Sequence, residues 1–178
     1  RSTAGSICWK PLVAAVASFA DAKHHDGVWL IRIDDVDQTR TRSGAESKIL
    51  KTLERFGFSS DEAPQRQSDR TNEYRRALAH LIEAGCVYRC NCSRKAVAAQ
   101  GRPGREGPIY PGTCIRCPPP QEEPAAWRFK VDASPVKFTD RVVGEVTQRL
   151  QQDLGDFVVF RLDGYCAYQL AVVIDDAD

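Results

Sequence analysis

The chain has 178 residues, of which 42% are hydrophobic and 28% charged, and its formal net charge is +1. The 25 Lys and Arg residues are offset by 24 Asp and Glu residues, which excludes a generally basic nucleic-acid-binding surface and leaves only a local patch for RNA. The sequence shows no signal peptide and no apolar run long enough to span a membrane, so we expect a cytoplasmic protein that makes no membrane contact.

Helical and strand-like patterns alternate in the first half of the chain. Helices are predicted over 12–23, 43–57 and 69–85, and strands over 28–33 and 87–90. The first predicted strand ends at two neighbouring carboxylates, Asp34 and Asp35. Alternation of this kind is typical of an α/β chain with a parallel sheet, in which ligands lie at the carboxyl ends of the strands.

An irregular lobe is predicted over residues 100–125, because this segment contains seven of the ten prolines. Strand-like runs follow it at 126–131, 136–138, 157–161 and 168–176. We therefore expect the sheet to resume after the lobe.

Four of the seven cysteines lie around this lobe, at Cys90, Cys92, Cys114 and Cys117. Two close thiol pairs separated by a flexible hairpin could supply the tetrahedral set that zinc prefers. The alternative is a pair of disulfides, which requires an oxidising compartment. The remaining cysteines have apolar neighbours and are predicted to be buried structural thiols: Cys8, Cys86 and Cys166.

Five segments resemble, in order, the catalytic region of bacterial glutamyl-tRNA synthetases. They are residues 31–37, 66–74, 88–94, 110–114 and 155–176. The Cys-x-Cys pair followed by Tyr-x3-Cys, together with the run Tyr168–Val173, is more similar to the shortened glutamyl-queuosine tRNA(Asp) synthetase family.

The resemblance implies a class I aminoacyl-tRNA synthetase fold, with a Rossmann-like parallel sheet and an inserted zinc-binding lobe. It implies a first part of the catalytic domain over 1–88, the lobe over 89–125, and the rest of the acceptor-binding insertion with a return to the sheet over 126–178. We expect the chain to be part of a longer protein, because the downstream ATP-clamping loop of the family is absent from it.

The resemblance also implies the chemistry. L-Glutamate reacts with ATP and Mg²⁺ to give glutamyl adenylate, and the glutamyl group is then transferred to the queuosine base of tRNA(Asp). The expected protein is a monomer with a structural zinc ion. A fragment of a conventional glutamyl-tRNA synthetase, or a tRNA-binding remnant with impaired catalysis, is the alternative.

Site residues follow from the resemblance by position. Asp34 stands where the family has a glutamate that binds the substrate amino group, and Tyr168 matches a tyrosine of the glutamate pocket. The family's metal ligands match Cys90, Cys92, Tyr110 and Cys114, with Tyr110 in place of Cys117.

The ATP signature departs from the family pattern. Cys8-Trp9-Lys10-Pro11 lies where the family has a histidine and a glycine that contact ATP. A glycine there lets adenine approach the backbone, and the histidine stabilises the phosphate transition state, so the replacement is expected to obstruct or refold the ATP site. The catalytic residues are left unassigned for this reason.

Overall fold

The computed structural model describes residues 9–37, 41–105 and 107–178, apart from the side chains of residues 9–11. The chain divides into two compact units, the first ending at Arg70 and the second spanning Thr71–Asp178. In the described residues, no helix combines the length and hydrophobicity needed to cross a membrane. The three-part domain division given above stays a prediction.

The described residues of the first unit form two α-helices and one short parallel strand pair. Its elements are α1 (Trp9–His24), β1 (Arg32–Ile33), α2 (Ala45–Arg55), β2 (Gln65–Arg66) and a 3₁₀ turn (Gln67–Arg70). Arg32 pairs with Gln65, and Ile33 pairs with Arg66. Arg66 also donates from Nε to Glu46 Oε1 at 3.0 Å, which joins the end of β2 to the first turn of α2.

The strand predicted over 28–33 is shorter in the structure and begins at Arg32. The backbone N–H of Trp29 donates to Asp61 Oδ2 at 2.6 Å, and that of Ile31 donates to Ser60 Oγ at 3.2 Å. Because side chains accept these bonds, the residues before Ile31 stay outside the ladder, whose first bond runs from the N–H of Gln65 to the carbonyl of Ile31 at 3.0 Å. The run is therefore a loop that Trp29, which is buried, anchors to the unit.

The second unit is built on a three-stranded antiparallel sheet. Its helices are α3 (Thr71–Glu83), α4 (Arg94–Gln100), α5 (Thr113–Arg116), α6 (Leu150–Asp153) and α7 (Tyr168–Ala177). Its strands are β3 (Val87–Cys90), β4 (Arg102–Gly104), β5 (Gly107–Ile109), β6 (Ala126–Phe129), β7 (Val136–Asp140), β8 (Gly144–Gln148) and β9 (Phe157–Phe160). The sheet order is β3-β6-β9, and β4–β5 and β7–β8 form separate antiparallel pairs.

The strand predicted over 168–176 was wrong, because the segment forms helix α7. Leu170 and Ala171 are buried, whereas Tyr168 and Val173 are exposed. Burial of neighbouring positions followed by exposure two residues on is the pattern of a helix packed on one face, since a strand would bury alternate residues.

The α/β fold class is confirmed, but most of the strand pairing differs from the expected parallel sheet. In the described residues, β1 and β2 form a parallel pair, and the sheet that carries the lobe is antiparallel. Val87 pairs with Phe129, so the strand that enters the lobe lies beside the strand that leaves it. Cys90 pairs with Ala126, so both ends of the lobe lie at the same end of the β3–β6 strand pair.

Candidate metal centre and amino-acid site

Three short elements bring the predicted ligands together. Cys90 ends β3 and Cys92 follows it, Tyr110 comes directly after β5, and Cys114 lies in α5. Gly112 has φ +74°, a left-handed conformation that favours glycine. The turn at Gly112 brings the N–H of Cys114 to the Tyr110 hydroxyl oxygen, which accepts it at 2.8 Å.

The donor atoms of this cluster have the separations of a tetrahedral metal site. The sulfur atoms of Cys90, Cys92 and Cys114 all lie within 4.8 Å of one another. The Cys92 and Cys114 sulfurs are 3.5 Å apart, and Tyr110 Oη lies 3.4 Å from Cys90 Sγ. Zinc–sulfur bonds of about 2.3 Å place tetrahedral donors roughly 3.8 Å apart. The donor set therefore fits a zinc ion.

Cys117 lies outside this group. Its side chain is exposed, whereas Cys90 and Cys114 are buried. In the part of the chain that the structure describes, the sulfur cluster consists of Cys90, Cys92 and Cys114. The fold thus groups the set that the family resemblance implies. Tyr110 Oη contacts the sulfur atoms of the cluster, whereas Cys117 is not part of it.

Burial and hydrogen bonds shift the pKa values of Tyr110, Cys92 and Cys114. Burial raises the pKa of the Tyr110 phenol well above its ordinary value, and hydrogen bonds with the surrounding sulfurs raise it further. Burial also raises the pKa of Cys92. At Cys114 the same burial is outweighed by hydrogen bonds from Tyr110 and the Asn91 backbone, which lower its pKa. Cys114 is therefore readier than Cys92 to become a thiolate.

A second layer of polar contacts, which sequence patterns did not reveal, supports the cluster. Tyr88 donates its hydroxyl to Asp156 Oδ2 at 2.6 Å, and the N–H of Val131 donates to Asp156 Oδ1 at 2.9 Å. Burial and the bond to Asp156 raise the pKa of Tyr88. Arg128 Nε donates to Cys90 Sγ at 3.1 Å. The only sequence signal for the contact of Arg128 was the position of this arginine between the apolar residues of the strand predicted there.

The first unit places Asp34 on the loop that follows β1. Its Oδ1 accepts from Arg32 Nε at 2.8 Å, and 39% of the side chain is exposed. Asp35 accepts from the N–H and hydroxyl of Ser68 at 2.8 and 2.7 Å. Both aspartates line a cleft of about 890 Å³ whose walls also include Leu12 from α1. Asp35 thus holds the loop, and Asp34 presents its carboxylate to the cleft.

The other predicted site residues lie elsewhere. Tyr168 is the first residue of α7 in the second unit, and 55% of it is exposed. Trp9, Lys10 and Pro11 form the first residues of α1, but their side chains are outside the description. Cys8 lies outside the described residues.

The family described as "tRNA synthetases class I (E and Q), catalytic domain" matches residues 12–178. The chain belongs to this family.

Named relatives make the relationship more specific. A protein of Chromobacterium violaceum named "Glutamyl-Q tRNA(Asp) synthetase" is 47% identical over 167 residues, which cover 94% of this chain and 56% of the relative. A protein of the same name from Dechloromonas aromatica is 46% identical over 178 residues, with 99% and 59% covered. The chain therefore spans less than two thirds of these relatives. Their names confirm the resemblance to the glutamyl-queuosine family.

Solved structures show the same fold. The glutamate tRNA ligase of Elizabethkingia meningosepticum aligns with a TM-score of 0.81 at 26% identity, over 97% of this chain and 39% of that protein. The glutamate-tRNA synthetase of Elizabethkingia anophelis gives a TM-score of 0.76 at 26% identity, over 92% and 38%. These alignments support the class I synthetase α/β fold for this chain.

Proposed function

We propose that the protein activates L-glutamate with ATP and Mg²⁺ and transfers the glutamyl group to the queuosine base of tRNA(Asp). The observation that carries the proposal is 47% identity, over 94% of the chain, to a relative named Glutamyl-Q tRNA(Asp) synthetase. Because the chain covers 56% of that relative, the proposal concerns the activity of the whole protein.

In the first step, a carboxylate oxygen of glutamate attacks the α-phosphorus of ATP, and the bond to pyrophosphate breaks. In the second step, a hydroxyl of the queuosine base attacks the acyl carbon of the adenylate, loses its proton, and releases AMP. Charge pairing and positioning are the contributions that the chain's own residues make to these steps.

Asp34 is the proposed partner of the substrate ammonium group. Its Oδ1 is held by Arg32, which leaves Oδ2 to accept from a bound amino group. Asp34 lines the cleft of the first unit, as a substrate-binding carboxylate must. Tyr168 is proposed as a glutamate-binding residue because the family resemblance implies it, and its exposed side chain is accessible to a ligand.

Zinc is proposed as a structural ion held by Cys90, Cys92, Tyr110 and Cys114. When bound, it would cross-link the end of β3 to the turn that carries Tyr110 and stabilise the proline-rich lobe. All four donors come from the protein, which is the composition of a closed structural site. No step of the proposed reaction uses the metal.

One observation favours a second candidate, a tRNA-binding module without adenylation. The segment Cys8–Pro11 lacks the histidine and glycine with which the family contacts ATP. Such a module would retain the lobe and bind tRNA without forming glutamyl adenylate.

Transfer of radiolabelled glutamate distinguishes these candidates. The longest natural form that contains this chain is incubated with ATP and Mg²⁺ and with tRNA(Asp) that carries or lacks queuosine. Label on the queuosine-containing tRNA alone supports the proposal. Label on tRNA(Glu) instead indicates a conventional glutamyl-tRNA synthetase, and binding of tRNA without labelling indicates the module.

A further inference from the structure

A buried guanidinium lies directly beside the thiol cluster. Arg128 lies on β6, the middle strand of the antiparallel sheet, and 9% of it is exposed. Its Nε donates to Cys90 Sγ at 3.1 Å, and its Cζ lies 4.0 Å from the ring centroid of Tyr110. Its Nη1 donates to the backbone oxygen of Asp156 at 3.1 Å. Arg128 thus contacts two proposed metal ligands without being a ligand itself.

The Nε of Arg128 contacts sulfur rather than a carboxylate. Asp156 offers Arg128 its backbone carbonyl, because its two carboxylate oxygens accept from Tyr88 and from the N–H of Val131. A buried cation is stabilised by an anion that lies against it. Cys90 Sγ, which would be a thiolate when it ligates a metal ion, lies in that position.

We propose that Arg128 is the fixed counter-charge of the metal cluster and positions Cys90 and Tyr110 for coordination. With Tyr110 as a neutral phenol, three thiolates around one divalent cation would carry a net charge of −1, which one guanidinium balances. The inference rests on the proposed zinc site and adds to it a residue that tunes metal affinity from outside the coordination shell.

The contact geometry requires arginine. Nε points to sulfur, Nη1 points to a carbonyl, and the planar group stacks on the phenol ring. Lysine carries the same charge on a single flexible ammonium and cannot make the three contacts together. Arg128→Lys therefore keeps the positive charge but loses the positioning contacts. Arg128→Met removes both and keeps an apolar side chain of similar length.

Metal affinity tests the proposal on the full 178-residue chain. Zn²⁺ affinity is measured by competition with a chromogenic chelator, and Co²⁺ serves as a spectroscopic probe of thiolate ligation. We expect Arg128→Met to weaken Zn²⁺ binding about ten- to a hundredfold and to shift the Co²⁺–thiolate charge-transfer band, with Arg128→Lys between it and the parent. Arg102→Met is the matched control, since Arg102 donates to the backbone oxygens of Gln151 and Gln152.

A stability measurement separates this role from simple packing. We expect Arg128→Met to reduce the increase in unfolding midpoint that Zn²⁺ gives the chain. An equal loss of stability with and without metal, at unchanged Zn²⁺ affinity, would overturn the proposal. If Arg128→Met does not fold, Arg128→Lys is read by the same criteria. A parent chain that binds no Zn²⁺ would refute the metal site itself, whereas a parent and Arg128→Met that bind equally would refute only the role of Arg128.

Discussion

The hydroxyl of Tyr74 donates to the carboxylate of Asp175, with distances of 2.9 and 3.0 Å to its two oxygens. Tyr74 is fully buried in α3, and Asp175 lies in the last turns of α7. The bond therefore joins two helices whose bonded residues are 101 positions apart in the chain. Since Tyr168 begins α7, this bond helps to fix the helix that presents the proposed glutamate-pocket tyrosine.

Removing this hydroxyl is expected to destabilise the second unit. Tyr74→Phe keeps the ring but removes a hydrogen bond to a charged group, so we expect a loss of about 1.5–3 kcal/mol in the free energy of unfolding. Urea denaturation followed by circular dichroism measures it. Tyr168→Phe is the control, because its hydroxyl is on an exposed residue of the same helix and its loss should change stability by less than about 0.5 kcal/mol.

Asp34→Asn is expected to raise the KM for glutamate about ten- to a hundredfold, because the amide no longer pairs its charge with the substrate ammonium. The measurement is glutamate-dependent ATP–pyrophosphate exchange on the longest natural form. Asp163→Asn is the control, since Asp163 pairs with an arginine two residues earlier, as Asp34 does. An unchanged KM for Asp34→Asn would remove Asp34 from the proposed site.

Zinc content is expected to depend on Cys114 and not on Cys117. The parent should carry about one zinc ion per chain, measured by mass spectrometry of the metal, and Cys114→Ala should lose it. Cys117→Ala should retain it, because Cys117 is exposed outside the cluster. The reverse result would restore the set of four thiols as the ligands.

Alkaline pH is expected to destabilise the protein through Cys166. Burial raises the pKa of this thiol to about 12 from 9.0. Between these values the unfolded chain loses the proton and the folded chain keeps it, so the free energy of unfolding falls as pH rises, by about 1.4 kcal/mol per pH unit. Cys166→Ala should show a shallower fall over pH 9–12 in urea denaturation. Equal slopes for the parent and Cys166→Ala would contradict this assignment.

The grouping of the cluster residues was predictable because they lie in two short motifs, Cys90-x-Cys92 and Tyr110-x3-Cys114. Their role as metal ligands stays a prediction. Cysteine spacing alone, however, could not choose between Tyr110 and Cys117. That choice depends on the turn at Gly112, which lets Tyr110 Oη accept from the N–H of Cys114. The resemblance to a known family supplied what the spacing could not.

Long-range contacts were less predictable. The apolar run from Tyr168 was predicted as a strand, but a run of this kind can equally be a buried helix. In the structure it is a helix that buries Leu170 and Ala171. Arg128 gave only a weak signal, because an arginine in a strand is usually exposed and its contact with Cys90 depends on sheet register.

Glutamate-dependent ATP–pyrophosphate exchange, with tRNA omitted, tests the central claim most directly. It is measured on this chain and on the longest natural form that contains it, at a glutamate concentration below the KM of the parent, with Asp34→Asn as the variant of weakened glutamate binding. The proposed function predicts exchange by the longest form without tRNA and a marked loss of exchange in Asp34→Asn. Absence of exchange in the longest form both without and with added tRNA, while tRNA binding is retained, would contradict the proposal and indicate a tRNA-binding module.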